Sequence, residues 1–520
     1  MALSPRPSAD FQEEAFQFVK AGEGFEPNVY GDLIGVPTIG YGYALAIRNA
    51  QNVWSLKATL ASDLGALGIT LTLAQQNTLN DVVAALNVGN TQLADSLSDS
   101  LGDGGADDIR PITQAEARTL FDLELDRALV AIQDRFKGFL GNADGDALYT
   151  YLQNSKEMVA LTSMAYNSVS TIGQNITRAL HNRDRAEAWY EIQYNTNGGA
   201  SASQGVANRR YREAALFGLY NEGPLNEEDA KAAYRMFTRH RTQILGADGA
   251  LGGVDGYEDR YPPPEAGMSI FWQLKAARDY LLPLYDQGVP IAWSHVYVGE
   301  NNGENGTQDT RYYRNTDADT LVGSAQNDLM FGESGDDILD AGAGTDILYG
   351  GTGNDTLKGG ADLDYYMYST GDGRDTLHDS DGQGQIRWND TVLNGGQKLA
   401  GIDGDPNGVY RSADGLTHYV RYDDFLFITR SPNEDPRNGG GIVVENYTAG
   451  ALDLNFDPNR PTPEIVNVIN VDPNLPNGTG GTPYNDLMLG TEGRDLAYGN
   501  GGDDVLHGWG DNDTLVRWRR

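Results

Sequence analysis

Aspartates recur every nine residues at Asp319, Asp328, Asp337, Asp346, Asp355 and Asp364. The text around them, GSAQNDLMF GESGDDILD AGAGTDILY GGTGNDTLK GGADLDYYM, approaches G-G-x-G-x-D-x-U-x, where U is a large apolar residue. The U positions are Met330, Leu339, Leu348, Leu357 and Tyr366. Few folds keep such a register. Glycines permit tight turns, the apolar residue packs inward as a short strand, and each Asp faces its counterpart two repeats later. Two such rows make a flattened parallel β-roll, with Ca²⁺ held between Asp carboxylates and turn carbonyls. A second block keeps the spacing at Asp486, Asp495, Asp504 and Asp513. A disordered Gly/Asp linker would not hold this register.

The charge distribution agrees. The net charge is −36, and residues after 222 carry 22 Lys/Arg against 48 Asp/Glu. So many carboxylates in a chain with 65 glycines either stay disordered or bind hard cations. They repel phosphates, so no nucleic-acid partner is expected. Cysteine is absent, which excludes disulfides and thiolate metal sites. The six His are scattered and give zinc hydrolase chemistry no support. No apolar run is long enough to cross a bilayer, so an integral membrane protein is not expected. The opening MALSPRPSADFQEE lacks the apolar core of a signal peptide, so export by the general secretory route is not expected and another route stays open.

The repeats resemble the RTX family of calcium-binding exported proteins. That resemblance implies Ca²⁺ as cofactor, a type I secretion apparatus as partner and secretion by a signal-peptide-independent route. The roll would stay open at low intracellular Ca²⁺ and fold outside the cell. Between the two blocks, the text through Leu454 is β-rich. Within it Asp403, Asp405, Asn407, Gly408 and Asp414 stand at EF-hand-like spacing. Pro406 interrupts them and no flanking helices are evident, which favours a plain acidic turn.

The second constraining stretch is EGFEPNVYGDLIGVPTIGYG, Glu23 to Gly42. Asp10 can cap a helix with Phe11, Ala15, Phe18 and Gly22 on its apolar face. Gly22 and Gly24 weaken it, so Glu23 falls at its C-terminal end. Helix carbonyls there push a carboxyl pKa up, which suits a general acid. Gly31, Gly35 and Pro37 favour turns, and the apolar residues between them suit a hairpin carrying Asp32 and Thr38.

The pattern E-G followed by Y-x-D-x-x-G-x-x-T-I-G-Y-G closely resembles the phage-type lysozyme family. The resemblance implies that Glu23 is the general acid. It implies that Asp32 and Thr38 hold the attacking water on the opposite face of the sugar. Tyr43 stands where relatives often have His, a structural position. Further on, Thr113 and Glu116 form a capping box, and Ala117, Phe121, Leu125, Ala128, Ile132 and Phe136 repeat at helical steps. Val159–Ser168, Arg178–Trp189 and Gly205–Phe217 resemble the family's C-terminal lobe. The Arg209/Arg210 pair either contacts peptidoglycan carboxylates or, more often for such pairs, caps a helix or pairs with nearby acids. Residues 46–109 read as an insertion with helices near Leu56–Leu67 and Gln75–Leu86 and a polar stretch at Ser96–Asp108.

The expected fold class is multidomain. An α+β lysozyme-like domain spans 1–222, with the 46–109 insertion, and a small helical connecting region spans 223–313, with helices near Glu227–Ile244 and Ile270–Leu284. A parallel RTX β-roll spans 314–380, a β-rich domain 381–470 and a second RTX block 471–520, whose basic ending suggests truncation. The expected function is an inverting peptidoglycan muramidase on a Ca²⁺-dependent exported chain, an antibacterial toxin. Its partners would be bacterial peptidoglycan and an immunity protein. The alternatives are a calcium-dependent wall-binding adhesin and a phage tail-associated lysozyme.

Overall fold

The computed structural model describes residues 3–49, 51–105, 107–196, 203–246, 256–299, 318–400, 404–430, 440–459, 467–472 and shorter stretches between 474 and 516. The chain divides into two compact units between Tyr349 and Gly350, inside the 314–380 repeat block.

The first unit opens with α1 (Phe11–Glu23), capped as expected by Asp10, whose carboxylate accepts the Glu13 N–H at 3.1 Å. Its buried residues are Ala15, Phe16 and Val19, so of the Phe11–Ala15–Phe18–Gly22 stripe only Ala15 is buried. Phe16 packs edge-on against both Tyr41 and Phe121, with ring centroids 5.2 Å apart in each pair. Rings from two other elements therefore decide which face turns inward. Phe11 and Phe18 pack at the margin of that core. Gly24, at φ 72°, ends the helix.

Strands β1 (Glu26–Gly31), β2 (Pro37–Gly40) and β3 (Tyr43–Ala44) form an antiparallel sheet, with Tyr30 opposite Thr38 and Gly31 opposite Pro37. A short hairpin, β4 (Ala46–Arg48) with β5 (Trp54–Leu56), leads into α2 (Leu60–Ala66), α3 (Leu73–Asn87) and α4 (Thr91–Asp99). The helix expected from Leu56 begins only at Leu60, because Leu56 closes β5. The polar stretch from Ser96 is helical through Asp99. Asn90 caps α4, and its buried residues, Ala94 and Ser98, are too small to make an apolar stripe.

Helix α5 (Gln114–Leu140) carries the expected capping box, and every residue of its predicted stripe is buried. It shares one core with α1 and the sheet. Then follow α6 (Asn142–Leu152), α7 (Lys156–Ser168), α8 (Gln174–His181), α9 (Arg185–Tyr190), a π-helical turn (Glu191–Asn195) and α10 (Gln204–Phe217). The fully buried Arg185 and Glu157 pair at 2.6 Å, and Glu157 also accepts Arg6 Nε at 2.8 Å. This charge-assisted node ties the N-terminal segment to α7 and α9.

The connecting region contains α11 (Glu227–Leu245), α12 (Tyr257–Arg260), α13 (Ile270–Gln273) and α14 (Lys275–Tyr285). The single helix expected over Ile270–Leu284 is thus two. Strand β6 (Val296–Val298) pairs in parallel with β8 (Leu329–Ser334), and β7 (Thr320–Ser324) with β9 (Ile338–Ala343). Strands of one parity stack on their own kind, as a two-row parallel β-solenoid requires. The U-position side chains Met330, Leu339 and Leu348 are fully buried.

Strand β10 (Ile347–Thr352) crosses the division. In the second unit β11 (Thr356–Ala361) pairs in parallel with β13 (Arg374–His378), and β12 (Asp364–Tyr368) with β14 (Gly384–Trp388). The β-rich region contains β15 (Thr391–Val392), β16 (Gly395–Ala400), β17 (Gly408–Arg411), β18 (His418–Tyr422), β19 (Phe425–Thr429), β20 (Gly441–Val444) and β21 (Asn455–Asp457). Strands β16 to β20 are antiparallel neighbours, and β20 returns in parallel to β13. This region therefore grows from the solenoid's own sheet. Parallel pairing resumes in β22 (Asn467–Asn470), β23 (Thr479–Gly480), β24 (Asp486–Leu489), β25 (Leu496–Tyr498), β26 (Val505–His507) and β27 (Thr514–Val516), with alternate strands again adjacent.

Candidate functional site

Two sets of carboxylates stand out, one in the N-terminal lobe and one along the solenoid. In the lobe, Glu23 is the last residue of α1. Its Oε1 accepts Arg209 Nη2 at 2.7 Å, and the two side chains are 22% and 30% exposed. Its Oε2 lies against Gly42, where a Cβ would stand 3.1 Å away. Arg209 thus pairs with an acid of its own chain. Its neighbour Arg210 is buried beside Glu213, so both follow the acid-pairing reading.

Asp32 opens the β1–β2 turn. Its Oδ1 accepts the N–H of Ile34 and of Val36, each at 2.9 Å. Its backbone N–H donates to Val36 O at 3.0 Å, and its carbonyl accepts Gly35 N–H at 2.9 Å. Thr38, 4% exposed, donates its hydroxyl to Val36 O at 3.0 Å. Tyr30, paired with Thr38 across the sheet, sits among the carboxylates. Burial raises its phenol, and the charges of Glu23, Asp32 and Glu26 push it further up. The structure thus gathers all three predicted residues around one small sheet. Tyr43 is buried and donates to Asp63 Oδ2 at 2.6 Å, a structural role, as expected of that position. Burial alone would raise Asp63, but bonds from Arg127, Tyr43 and Thr59 hold it down at about 2.

The insertion lies against this hairpin. Gly31 N–H donates to Asp99 Oδ1 at 2.9 Å, and Ser98 Oγ donates to Gly35 O at 2.9 Å. Burying Gly31 and Gly35 against α4 was not legible from the motif, which gives glycine only as a turn former.

Along the solenoid, Asp328, Asp337, Asp346, Asp355, Asp364, Asp486 and Asp495 are buried, and Asp319 is half-buried. Asp504 and Asp513 lie outside the described residues. In the early turns an Asp meets its counterpart two repeats away. Asp319 N–H donates to Asp337 Oδ1 at 2.6 Å and Asp328 N–H to Asp346 Oδ1 at 2.8 Å. Successive turns are so close that a Cβ on Gly342 would lie 2.3 Å from Ser324 O, and Gly342 sits at φ 108°. Only glycine fits there.

Asp375 joins this row although the nine-residue count misses it. It is buried, and its Oδ1 accepts Asp355 N–H at 3.1 Å. The signal was present: Gly371, Gly373, Asp375 and Leu377 repeat G-x-G-x-D-x-U two residues out of phase. Asp328 differs from the others. Its Oδ1 lies 2.8 Å from His295 Nδ1 and its Oδ2 accepts Ser324 N–H at 2.7 Å.

No group of three or more His, Asp or Glu side chains gathers as a metal cage among the described residues. A cation on these turns would therefore take one or two carboxylates and backbone carbonyls. That all-oxygen set suits Ca²⁺. The EF-hand-like spacing makes no loop of its own. Asp403 lies outside the described residues, Asp405 Oδ1 accepts Asn407 N–H, and Asp414 Oδ1 accepts Leu416 N–H in a separate turn.

No described helix is long and apolar enough to cross a membrane. No curated protein matches the chain. The family model of the RTX calcium-binding nonapeptide repeat, in four copies, matches residues 313–348, 341–377 and 480–515. The chain therefore carries RTX repeats, which bind calcium, on a parallel β-solenoid, and the matched segments begin after the helical region that holds Glu23, Asp32 and Thr38.

Proposed function

We propose that the chain is a secreted peptidoglycan muramidase carried on a Ca²⁺-binding RTX tail. The observation that supports it best is the state of Thr38 and Asp32 on one hairpin. Thr38 spends its hydrogen on Val36 O, which leaves oxygen lone pairs to accept from a water. Asp32 spends Oδ1 on the turn, which leaves Oδ2 for that water's other proton. A water donating to both keeps its own lone pair for the anomeric carbon. Asp32 takes the proton as the C–O bond forms, while Glu23, held through Oε1 by Arg209, protonates the leaving glycosidic oxygen. Attack opposite the leaving group inverts the anomeric centre. The bond cleaved would be the β-1,4 link between N-acetylmuramic acid and N-acetylglucosamine.

The solenoid supports export by the type I route. Stacked Asp rows repel in low Ca²⁺ and close when Ca²⁺ screens them. Together these features describe an antibacterial toxin, whose producer would need an immunity protein. Zymography of the full chain on peptidoglycan, with and without Ca²⁺, tests the reading. A clearing zone supports it. Binding to sacculi without clearing would transfer the assignment to a wall-binding adhesin.

A further inference from the structure

The Asp32 turn is short, and its tip faces solvent. Leu33 is fully exposed and Ile34 about half exposed. Such a tip has little packing of its own, and hairpin tips are where backbone order is first lost. Yet a carboxylate that positions a nucleophilic water must be held closely, since a displacement of about 1 Å costs on the order of 10²-fold in rate. Something outside the turn has to fix it.

We propose that α4, within the 46–109 insertion, is the positioning element for Asp32, and that Ser98 and Asp99 are its two positioning residues. The proposal rests on the muramidase reading. Ser98 is fully buried, and its hydroxyl holds the carbonyl of Gly35, at the far end of the turn. Asp99 holds the N–H of Gly31, immediately before Asp32. The two bonds come from neighbouring residues of one helix and grip the backbone on both sides of Asp32. Neither residue is drawn into the chemistry.

The spacing of the backbones supports the same reading. A Cβ on Gly31 would meet Asp95 Oδ1 at 2.2 Å, and one on Gly35 would meet Asp95 N at 2.6 Å and Thr91 O at 2.7 Å. A Cβ on Gly102, just past the helix, would lie 2.2 Å from Val29 O. Helix and hairpin therefore meet backbone to backbone at Gly35 and Gly102, and at Gly31 the Asp95 side chain and Cα fill the gap. A rigid helix in direct contact transmits its position to the turn. The internal bonds of Asp32 fix the carboxylate relative to the turn; α4 fixes the turn relative to the lobe.

The Asp99 bond runs to a neutral N–H, so it needs an acceptor and not a charge. Asn would serve there, whereas Ala would not. Ser98 is needed as a donor, and its loss leaves a buried carbonyl unpaired.

The test uses the full chain with Ca²⁺ and compares wild type, Ser98→Ala/Asp99→Ala, Asp99→Asn and, as a control on the exposed side of α4, Ser96→Ala. Wall lysis gives kcat and KM, and hydrogen exchange read by mass spectrometry reports on residues 31–36. The double variant should lose roughly tenfold or more in kcat with KM within about twofold, and exchange should rise at 31–36 and not through the rest of the lobe. Asp99→Asn and Ser96→Ala should match wild type within about twofold in kcat. Wild-type kcat and unchanged exchange in the double variant would overturn the proposal. So would a general fall in Tm with exchange rising throughout the lobe, since α4 would then be a plain support. If wild type fails to lyse walls, the muramidase reading fails by itself. The exchange arm then still decides whether Ser98 and Asp99 hold the turn.

Discussion

His295 Nδ1 lies 2.8 Å from Asp328 Oδ1, so an early turn of the solenoid is bound to the segment that precedes the repeats. Helix α11 does the same on a larger scale. Arg235 Nε donates to Gly299 O at 2.6 Å, Lys231 Nζ pairs with Glu333 at 2.8 Å, and Thr238 Oγ1 accepts Val298 N–H at 3.0 Å. The solenoid therefore has a helical cap at its start, and a fragment cut near residue 300 would lose β6 and that cap. Arg235→Ala should destabilise the early turns by roughly 1–3 kcal/mol. A Ca²⁺ titration followed by circular dichroism should show its midpoint moved to higher Ca²⁺; an unmoved midpoint would show that the cap does not help the roll close.

Glu23→Gln should abolish wall lysis with the fold intact. The amide can still accept from Arg209 but carries no acidic proton. The expected loss is on the order of 10² to 10⁴ in rate. Undiminished turnover by the folded variant would end the assignment of Glu23 as the acid.

Asp32→Asn separates two tasks of one side chain. Asn Oδ1 can still accept from Ile34 and Val36 N–H, so the turn should persist. What disappears is the oxygen that takes the water's proton. Turnover should fall by on the order of 10² or more, with hydrogen exchange of residues 32–36 close to wild type. A loosened turn would mean that the loss is structural and not chemical.

How far the sequence could be read depended on what each segment buries. Leu125, Ile132 and Phe136 announce α5 because large apolar side chains at helical steps have few other uses. Leu339, Leu348 and Leu357 announce the solenoid for the same reason. Helix α4 was hidden because it buries Ala94 and Ser98 and meets the hairpin through glycine and backbone, which leave no hydrophobic pattern. Asp375 was hidden by a two-residue slip, although the turn chemistry around it was intact. That Glu23, Asp32 and Thr38 fall around one small sheet was legible because their spacing is local. Arg209 stands 186 positions from Glu23, and no local pattern could pair them.

Glu258 predicts a pH dependence in the helical region. Burial pushes its carboxyl up to about 7, against the opposing bonds from Tyr194 and from Ile270 N–H. An unfolded glutamate titrates near about 4.3. Between these values the folded chain holds a proton that the unfolded chain has lost. Stability therefore falls as pH rises from about 4.3 to about 7, by on the order of 3 kcal/mol, and flattens above. Glu258→Gln should remove that slope. Equal slopes in thermal scans of wild type and variant from pH 4.5 to 7.5 would show that Glu258 is not responsible.

The final prediction concerns Ca²⁺ and the solenoid. Asp328, Asp337 and Asp346 in the first unit and Asp355, Asp364 and Asp375 in the second are buried carboxylates, and burying a charge is costly unless it is compensated. Backbone N–H bonds such as Asp328 N–H to Asp346 Oδ1 offset part of that cost; a divalent cation offsets much more, because one ion serves neighbouring carboxylates at once. Ca²⁺ binding free energy then becomes folding free energy. The lobe built on α1, α5 and α7 buries its own apolar core and contains none of these rows. Adding chelator to the full chain should therefore increase hydrogen exchange across β11 to β14 and reduce β signal, while peptides from α5 stay protected. Replacing Asp337, Asp346 and Asp355 together by Ala should raise the Ca²⁺ required for protection. Equal protection of β11 to β14 with and without chelator would show that the rows are folded without the ion, and the Ca²⁺-dependent closing of the solenoid would have to be abandoned.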